Sequence, residues 1–185
     1  METCQATRLA EWIVFHYPYR AAGLELTHPK LQRLCFYAAG VAWATGAGNE
    51  LGDIEFDAWG HGPVLREVYA RYHHEKGAIA APSVAPATLG EQTVRALHDA
   101  VAVYGLLSAW GLREQARREA PWIRANADGA RAITRGEIEP HFRRKWADGV
   151  ACPEFLVDRG IFTIEGLGYR ATFDSFASLA AHVRV

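Results

Sequence analysis

The chain has 185 residues and a formal net charge of -1, and half of its residues are hydrophobic. This length suffices to bury a core without disulfides or metals, and the composition excludes intrinsic disorder. The charge disfavours nucleic acid as a partner, because nonspecific affinity for phosphates comes mainly from excess lysine and arginine. The three cysteines are widely separated and odd in number, which predicts neither a disulfide framework nor a metal site and fits a reducing cytoplasm.

The N-terminal part of the sequence predicts two helices. The first runs from about Gln5 to Tyr17, with apolar residues at the spacing of one helical face, and the second covers residues 28–45. The centre of the second helix, "LCFYAAGVAWA", is apolar almost all the way round, which is typical of a helix surrounded by others. We therefore place the helix over 28–45 at the middle of the core.

The next stretch contains "EFDAWGHGPV", residues 55–64, whose first part predicts short extended structure. Pro63 is predicted at the first position of a third helix that runs to about Glu75, because the first helical amides have no partner within the helix. The predicted apolar face of this helix carries Leu65, Val68, Tyr69 and Tyr72.

The remaining sequence predicts further helices. Residues 77–90 are rich in alanine and proline and indicate a flexible excursion. Helices are predicted over about 91–104 and 108–118, the second of which ends at "EAPW". Thr134 and Glu137 have the spacing of a capping box and predict the start of one more helix.

The C-terminal sequence changes character. It has short β-rich runs separated by glycines, which predict a small hairpin, and Asp174 can cap a final helix. The predicted fold is mainly α: a compact single-domain helical bundle around the helix over 28–45, with a small C-terminal β-hairpin and a final helix. We divide it into a helical domain over 1–150 and an extension over 151–185 packed on that domain.

Candidate chemistry centres on His61, which stands between two glycines. Asp57 is near enough in sequence to form an Asp-His pair, so a hydrolase that uses His61 is one alternative function, although no serine has a nucleophile-elbow pattern. No histidines have the i,i+4 spacing of a zinc helix and no P-loop lysine follows the glycines. We therefore expect neither a metal nor a cofactor.

The arginine-rich stretch "LREQARREAPWIRAN" raises the question of DNA binding. Glutamates are interleaved with its arginines, which favours a solvated face or contact with an acidic partner. A DNA-binding autoregulator of its own operon is the other alternative function. The N-terminus predicts neither a signal peptide nor a membrane span, so a cytoplasmic protein with no membrane partner is expected.

Four stretches in this order resemble the Panacea domain of the SocA-like antitoxin family: "PKLQRLCFYAAGVAWATG", "FDAWGHGPVLREVYARY", "VYGLLSAWGLREQARREAPW" and "ITRGEIEPHF". The resemblance covers about residues 27 to 146. It implies a mostly helical, non-enzymatic antitoxin that neutralises the toxin of an adjacent gene by direct contact. In one branch of the family, the resemblance further implies an adaptor that presents the toxin to an AAA+ protease.

The resemblance includes the loop motif and "EAPW". His61 occupies a position at which the family motif does not specify the residue. The candidate partner-binding or motif residues are those positions and their neighbours: Phe56, Asp57, Trp59, Gly60, His61, Gly62, Pro63, Val64, Tyr69, Glu119, Pro121 and Trp122. Trp and Tyr are among the residues that most often anchor protein interfaces. The sequence leaves open whether Trp59 faces the core or the partner.

Overall fold

A computed structural model describes residues 4–147, 163–164 and 169–170. Within them the chain forms seven α-helices: α1 Gln5–His16, α2 His28–Ala44, α3 Arg66–Tyr72, α4 Glu91–Tyr104, α5 Ala109–Ala116, α6 Ala120–Ala127 and α7 Arg135–Ala147. The strands are β1 Phe56–Trp59, β2 Gly62–Val64, β3 Ala132–Ile133, β4 Thr163–Ile164 and β5 Tyr169–Arg170. The predicted mainly helical, compact single-domain fold is confirmed.

Helix α2 runs through the hydrophobic core. Every residue from Lys30 to Trp43 is buried, and the helix contacts α1, α3, α4, α5 and α7. Its C-terminal part is apolar, as the sequence indicates, but its N-terminal part also buries Lys30, Gln32 and Arg33. Burial of such polar groups is costly unless they find partners. The ammonium of Lys30 lies 5.2 Å from the centre of the Tyr17 ring, and the other two side chains support the sheet described below.

Helices α2 and α7 pack closely at Gly40. A Cβ atom at Gly40 would lie 2.5 Å from the ring of Phe142, a distance that real side chains do not reach. Phe36 packs edge-on against both Phe142 and Phe56, with ring centroids 5.6 and 5.4 Å apart. The absence of a side chain at residue 40 therefore lets the aromatic core join two helices and the sheet.

The strands β1, β2 and β3 form an antiparallel sheet in the order β2-β1-β3. Ala58 stands opposite Pro63, so the prediction that Pro63 opens a helix is wrong: it lies in β2, and α3 begins only at Arg66. A proline lacks the amide hydrogen that an inner strand needs, but an edge strand such as β2 accepts it. Ile133 pairs with Phe56 in a strand that the sequence analysis did not predict.

The chain between α5 and α7 also differs from expectation. The predicted helix over 108–118 ends at Ala116, and "APWIRANA" forms the separate helix α6 with Pro121 in its first turn. The predicted capping box is formed in part: the amide of Thr134 donates to the Glu137 carboxylate at 3.2 Å, and the Thr134 hydroxyl donates to the same carboxylate at 3.3 Å. The helix over 91–104 is confirmed as α4.

Residues 77–90 contain no helix or strand, as expected for an excursion between helices. The segment is attached near both ends. The amide of Ile79 donates to the carbonyl of Leu26 at 2.8 Å, and the guanidinium of Arg8 donates to the carbonyl of Thr88 at 3.2 Å. It thus lies across the side of the bundle formed by α1 and the chain that enters α2.

Strands β4 and β5 pair antiparallel, Thr163 with Arg170 and Ile164 with Tyr169, where the sequence predicts a C-terminal hairpin. The predicted final helix and the packing of the extension over 151–185 lie outside the described residues. In the part of the chain that the structure describes, no helix has both the length and the apolar character needed to cross a bilayer.

We predict that Gly40→Ala destabilises the protein by about 1–3 kcal/mol, because the added methyl group overpacks the contact with Phe142. Urea unfolding followed by circular dichroism measures this change. Gly136→Ala in α7 is the matched control: its Cβ meets only the Thr134 hydroxyl at 3.7 Å, and alanine is the better helix former by up to about 1 kcal/mol. Equal stability of Gly40→Ala and the wild type would contradict the packing account.

Candidate partner-binding site

The hairpin of β1 and β2 rests on two buried polar side chains of α2. The Gln32 amide bonds to both backbone groups of Leu65: the Leu65 amide donates to Oε1 at 2.8 Å, and Nε2 donates to the Leu65 carbonyl at 3.2 Å. The Arg33 guanidinium donates to the carbonyls of Pro29, at 3.3 Å, and of His61. Both ends of β2 are therefore held against α2 by hydrogen bonds.

Gly62 is required where the hairpin meets Arg33. Its φ of +111° lies in a region that side-chain-bearing residues rarely adopt, and a Cβ there would lie 3.1 Å from Nε of Arg33. Gly60, in the same turn, has no atom within 4 Å of its ideal Cβ position. Of the two glycines that bracket His61, only Gly62 is required by the fold.

Exposed aromatic side chains lie on the hairpin and on the helix that follows it, Trp59 in β1 and Tyr69 in α3. Trp59 and Tyr69 are 38% and 37% exposed, and their rings meet edge-on at 5.0 Å between centroids. Tyr69 also contacts the rings of His28, at 5.3 Å, and His73, at 5.0 Å. We call Trp59, Tyr69, His28 and His73 the aromatic patch. Trp59 is therefore not fully buried in the core, because more than a third of this residue faces solvent.

Asp57 orients the indole ring of Trp59. Its carboxylate accepts a hydrogen bond from Nε1 of Trp59 at 3.2 Å and two from the guanidinium of Arg66, one of them at 3.2 Å. Asp57 is thus committed to Trp59 and Arg66 rather than to His61. The His61 side chain is exposed and has no hydrogen bond to another described residue, so the Asp-His pair considered from the sequence is not formed.

Among the other candidate residues, some are exposed and most are buried beneath the hairpin or within it. Gly60 is exposed, but most of the remaining motif residues are buried: Phe56, Gly62, Pro63, Val64, Glu119, Pro121 and Trp122. Nε1 of Trp122 donates to the carbonyl of Trp59 at 3.1 Å. This bond brings the "EAPW" motif against the hairpin, so two motifs separated by about sixty residues of sequence form one structural unit.

Glu119 is 2% exposed and forms the centre of a buried polar cluster. Its carboxylate accepts hydrogen bonds from the Tyr37 hydroxyl at 3.2 Å, from Nε2 of His141 at 2.6 Å and from Nζ of Lys145 at 2.7 Å. Burial alone would raise the pKa of Glu119, but the bonds and charges of His141 and Lys145 outweigh it and lower that pKa. The carboxylate therefore stays ionised and connects α2 and α7 to the start of α6.

Burial, and after it the negative charge of Glu119, raises the pKa of Tyr37 well above its ordinary value. Tyr37 therefore remains a neutral hydrogen-bond donor at physiological pH, which is the role that the cluster gives it. The arrangement is a structural cluster of a carboxylate with three donors. Among the described residues, no group of three or more His, Cys, Asp or Glu side chains could hold a metal ion.

The sequence analysis missed the residues that support the site from below, which are Gln32, Arg33, Tyr37, His141 and Lys145. A signal for two of them exists in the sequence, since Gln32 and Arg33 stand at the head of a helix that is otherwise apolar all round. A buried polar pair in such a helix needs a nearby partner. His141 and Lys145 have no comparable signal, because their spacing is that of any solvated helix face.

Comparisons of the chain with family models, with curated proteins and with solved structures give no match in any of the three. The similarity to the Panacea domain therefore rests on the sequence motifs alone.

We predict that Gly62→Ala destabilises the protein by about 1–3 kcal/mol, because alanine is strained at this φ and crowds Arg33. Gly60→Ala in the same turn should change the free energy of unfolding by less than about 0.5 kcal/mol, since space surrounds its Cβ. Urea unfolding of both variants measures the difference. Similar losses of unfolding free energy in the two variants would show that the turn as a whole, and not the contact of Gly62 with Arg33, requires glycine.

We also predict that Glu119→Gln lowers the free energy of unfolding at neutral pH by about 2–3 kcal/mol, because it removes the charge that His141 and Lys145 face. A carboxyl with a lowered pKa stabilises the fold above its unfolded pKa, ordinarily 4.5, and this contribution is lost as pH falls through the folded value. The difference in unfolding free energy between the wild type and the variant should therefore become smaller below about pH 4.5.

The control for this pH series is Glu91→Gln, which alters a surface pair with Arg95 whose carboxylate side chain is 87% exposed. Its stability should follow that of the wild type at every pH, because exposed pairs contribute little. A gap between wild type and Glu119→Gln that stays constant down to acid pH would refute an ionised Glu119 as the source of the stability.

Proposed function

We propose that the protein is a cytoplasmic antitoxin that binds and neutralises a cognate protein toxin encoded by an adjacent gene. Two lines support the proposal. The four ordered motifs resemble those of SocA-like antitoxins. The exposed pair of Trp59, in β1, and Tyr69, in α3, belongs to the second of these motifs. The exposed pair is the observation that carries the proposal.

Trp59 and Tyr69 have the properties of interface anchors. Each presents a large apolar ring with a polar group, and such residues contribute most of the binding energy at many protein interfaces. Their positions are fixed before any partner arrives, since Asp57 holds the Trp59 indole and His73 stacks on the Tyr69 ring. A side chain already held in one orientation loses less conformational entropy on binding.

The alternative functions have less support from the geometry. A hydrolase using His61 would need a group that orients the imidazole, and Asp57 is engaged elsewhere. A DNA-binding autoregulator would need an excess of positive charge, whereas the chain carries -1. The proposed role is therefore non-enzymatic protein binding, and the resemblance extends it to an adaptor that presents the bound toxin to an AAA+ protease.

We predict that Trp59→Ala combined with Tyr69→Ala raises the Kd for the toxin at least about 30-fold, because interface anchors contribute 2 kcal/mol or more. The measurement is binding of the purified protein to the product of the adjacent gene, with growth rescue on coexpression as the second readout. Val84→Ala, at a side chain that is 76% exposed and lies in the 77–90 segment, should bind and rescue like the wild type.

Circular dichroism and thermal melts of the double variant check that the fold is retained. Full rescue by a folded double variant would remove the aromatic patch from the interface, and absence of toxicity in every adjacent open reading frame would remove the antitoxin role. Loss of rescue in His61→Ala with binding intact would favour the hydrolase. Toxin half-life during coexpression separates masking from delivery to a protease, since only delivery shortens it.

A further inference from the structure

A second exposed surface lies beside the hairpin, on α5 and α6. Trp110 is 62% exposed and Ile123 is 48% exposed, and both belong to the few large hydrophobic side chains that face solvent among the described residues. The arginine face, as we name the side of α5 and its C-terminal end that carries these groups, comprises Trp110, Arg113 and Arg117. It combines an exposed apolar side chain with guanidinium groups.

The charge of the arginine face is unbalanced. The stretch over 109–127 holds four arginines and two glutamates. One of these, Glu119, is buried and already faces His141 and Lys145. Glu114 is therefore the one remaining acidic side chain in this stretch, and its single negative charge cannot neutralise four arginines. The stretch carries a net positive surface although the whole chain is slightly negative.

Glu114 forms ion pairs with Arg113 and Arg117 but no hydrogen bond to either. It lies 3.7 Å from Nε of Arg113 and 3.7 Å from Nη1 of Arg117, and both distances exceed a hydrogen bond. The side chains of Arg113 and Arg117 are 36% and 38% exposed. Their planar guanidinium groups thus keep donors for a carboxylate from outside the chain, which they can engage through paired hydrogen bonds.

Arg33 strengthens the positive potential from below. Among the described residues its guanidinium bonds only to the carbonyls of Pro29 and His61, and no carboxylate pairs with it. Burial first, and then the positive charge of Arg113, lowers the pKa of Arg33 to about 10. At physiological pH Arg33 is still charged, so Arg113 lies in a field that attracts an anion.

The composition of the face favours protein over nucleic acid. Trp110 stands three residues before Arg113 and seven before Arg117, so the three side chains share one side of the helical path. The guanidinium of Arg117 packs over the Trp122 ring at 5.5 Å from its centre, which fixes it next to the hairpin. Aromatic residues interspersed with arginine are typical of the buried core of protein interfaces.

We propose that the arginine face binds an acidic protein segment, whose carboxylates pair with Arg113 and Arg117 while an apolar side chain covers Trp110. This inference goes beyond the antitoxin role, because it does not require that the segment belong to the toxin. The recognised chemistry is a carboxylate next to an apolar residue in the same peptide.

The test uses a fluorescein-labelled peptide of alternating glutamate and leucine and the full chain, with anisotropy measured at low and at high salt. We expect binding that weakens as salt rises, and an increase in Kd of about tenfold for Arg113→Gln, since a hydrogen bond to a charged group contributes on that scale. Trp110→Ala should also raise Kd. Arg95→Gln, at a 64% exposed arginine of α4, is the matched control and should bind like the wild type.

The outcomes separate the possible partners. No binding of the acidic peptide, or equal binding by Arg113→Gln and the wild type, overturns the proposal. Tighter binding of duplex DNA than of the peptide, with the same dependence on Arg113, overturns it in favour of nucleic acid. Arg113→Gln replaces a partly buried side chain, and a thermal melt equal to that of the wild type shows that its fold is intact. The assay contains no toxin, so its result is independent of whether the antitoxin role is correct.

Discussion

The burial of polar side chains on α2 is the constraint on which the rest of the structure depends. Gln32, Arg33 and Tyr37 lie on a helix surrounded by others, where an unpaired polar group would cost several kcal/mol. Each side chain finds its partner in a different place: Gln32 in the backbone of Leu65, Arg33 in the backbone of His61, and Tyr37 in Glu119. These bonds set where the hairpin and α6 lie against the core.

This arrangement separates what holds the motif in place from what it shows to solvent. The geometry of the turn comes from the contact of Gly62 with Arg33 and from the hydrogen bond of Trp122 to the Trp59 carbonyl, and these contacts are internal. The side chains left outside are few and are oriented by neighbours such as Asp57. The proposed binding roles need exposed aromatic and guanidinium groups on a rigid support. Side chains that are already held in one orientation lose less conformational entropy when a partner binds.

Local patterns predicted most helices, since apolar periodicity and capping signals act within a few residues. The helix over 91–104 and the capping box at Thr134 are examples. Pro63 was misassigned because proline suits both the first turn of a helix and an edge strand, and only the pairing with Ala58 decides between them. Helix α6 is not predicted from the sequence because the proline of "EAPW" is compatible with the end of a helix as well as with the first turn, where Pro121 lies. The exposed pair of Trp59 and Tyr69 is among the candidate residues predicted from the sequence. The contacts of Arg33 and Glu119 could not be predicted, because they join distant parts of the chain and no short sequence pattern indicates them.

The pairing of Phe56 with Ile133 has a consequence for the order of events during synthesis. The hairpin of β1 and β2 is short, and the third strand of its sheet, β3, comes from a part of the chain more than seventy residues later. A contact of such long sequence separation forms late, because the intervening loop must close first. A nascent chain on the ribosome therefore cannot complete this sheet until Ile133 has emerged, and the exposed side of the hairpin takes its final form only after that point.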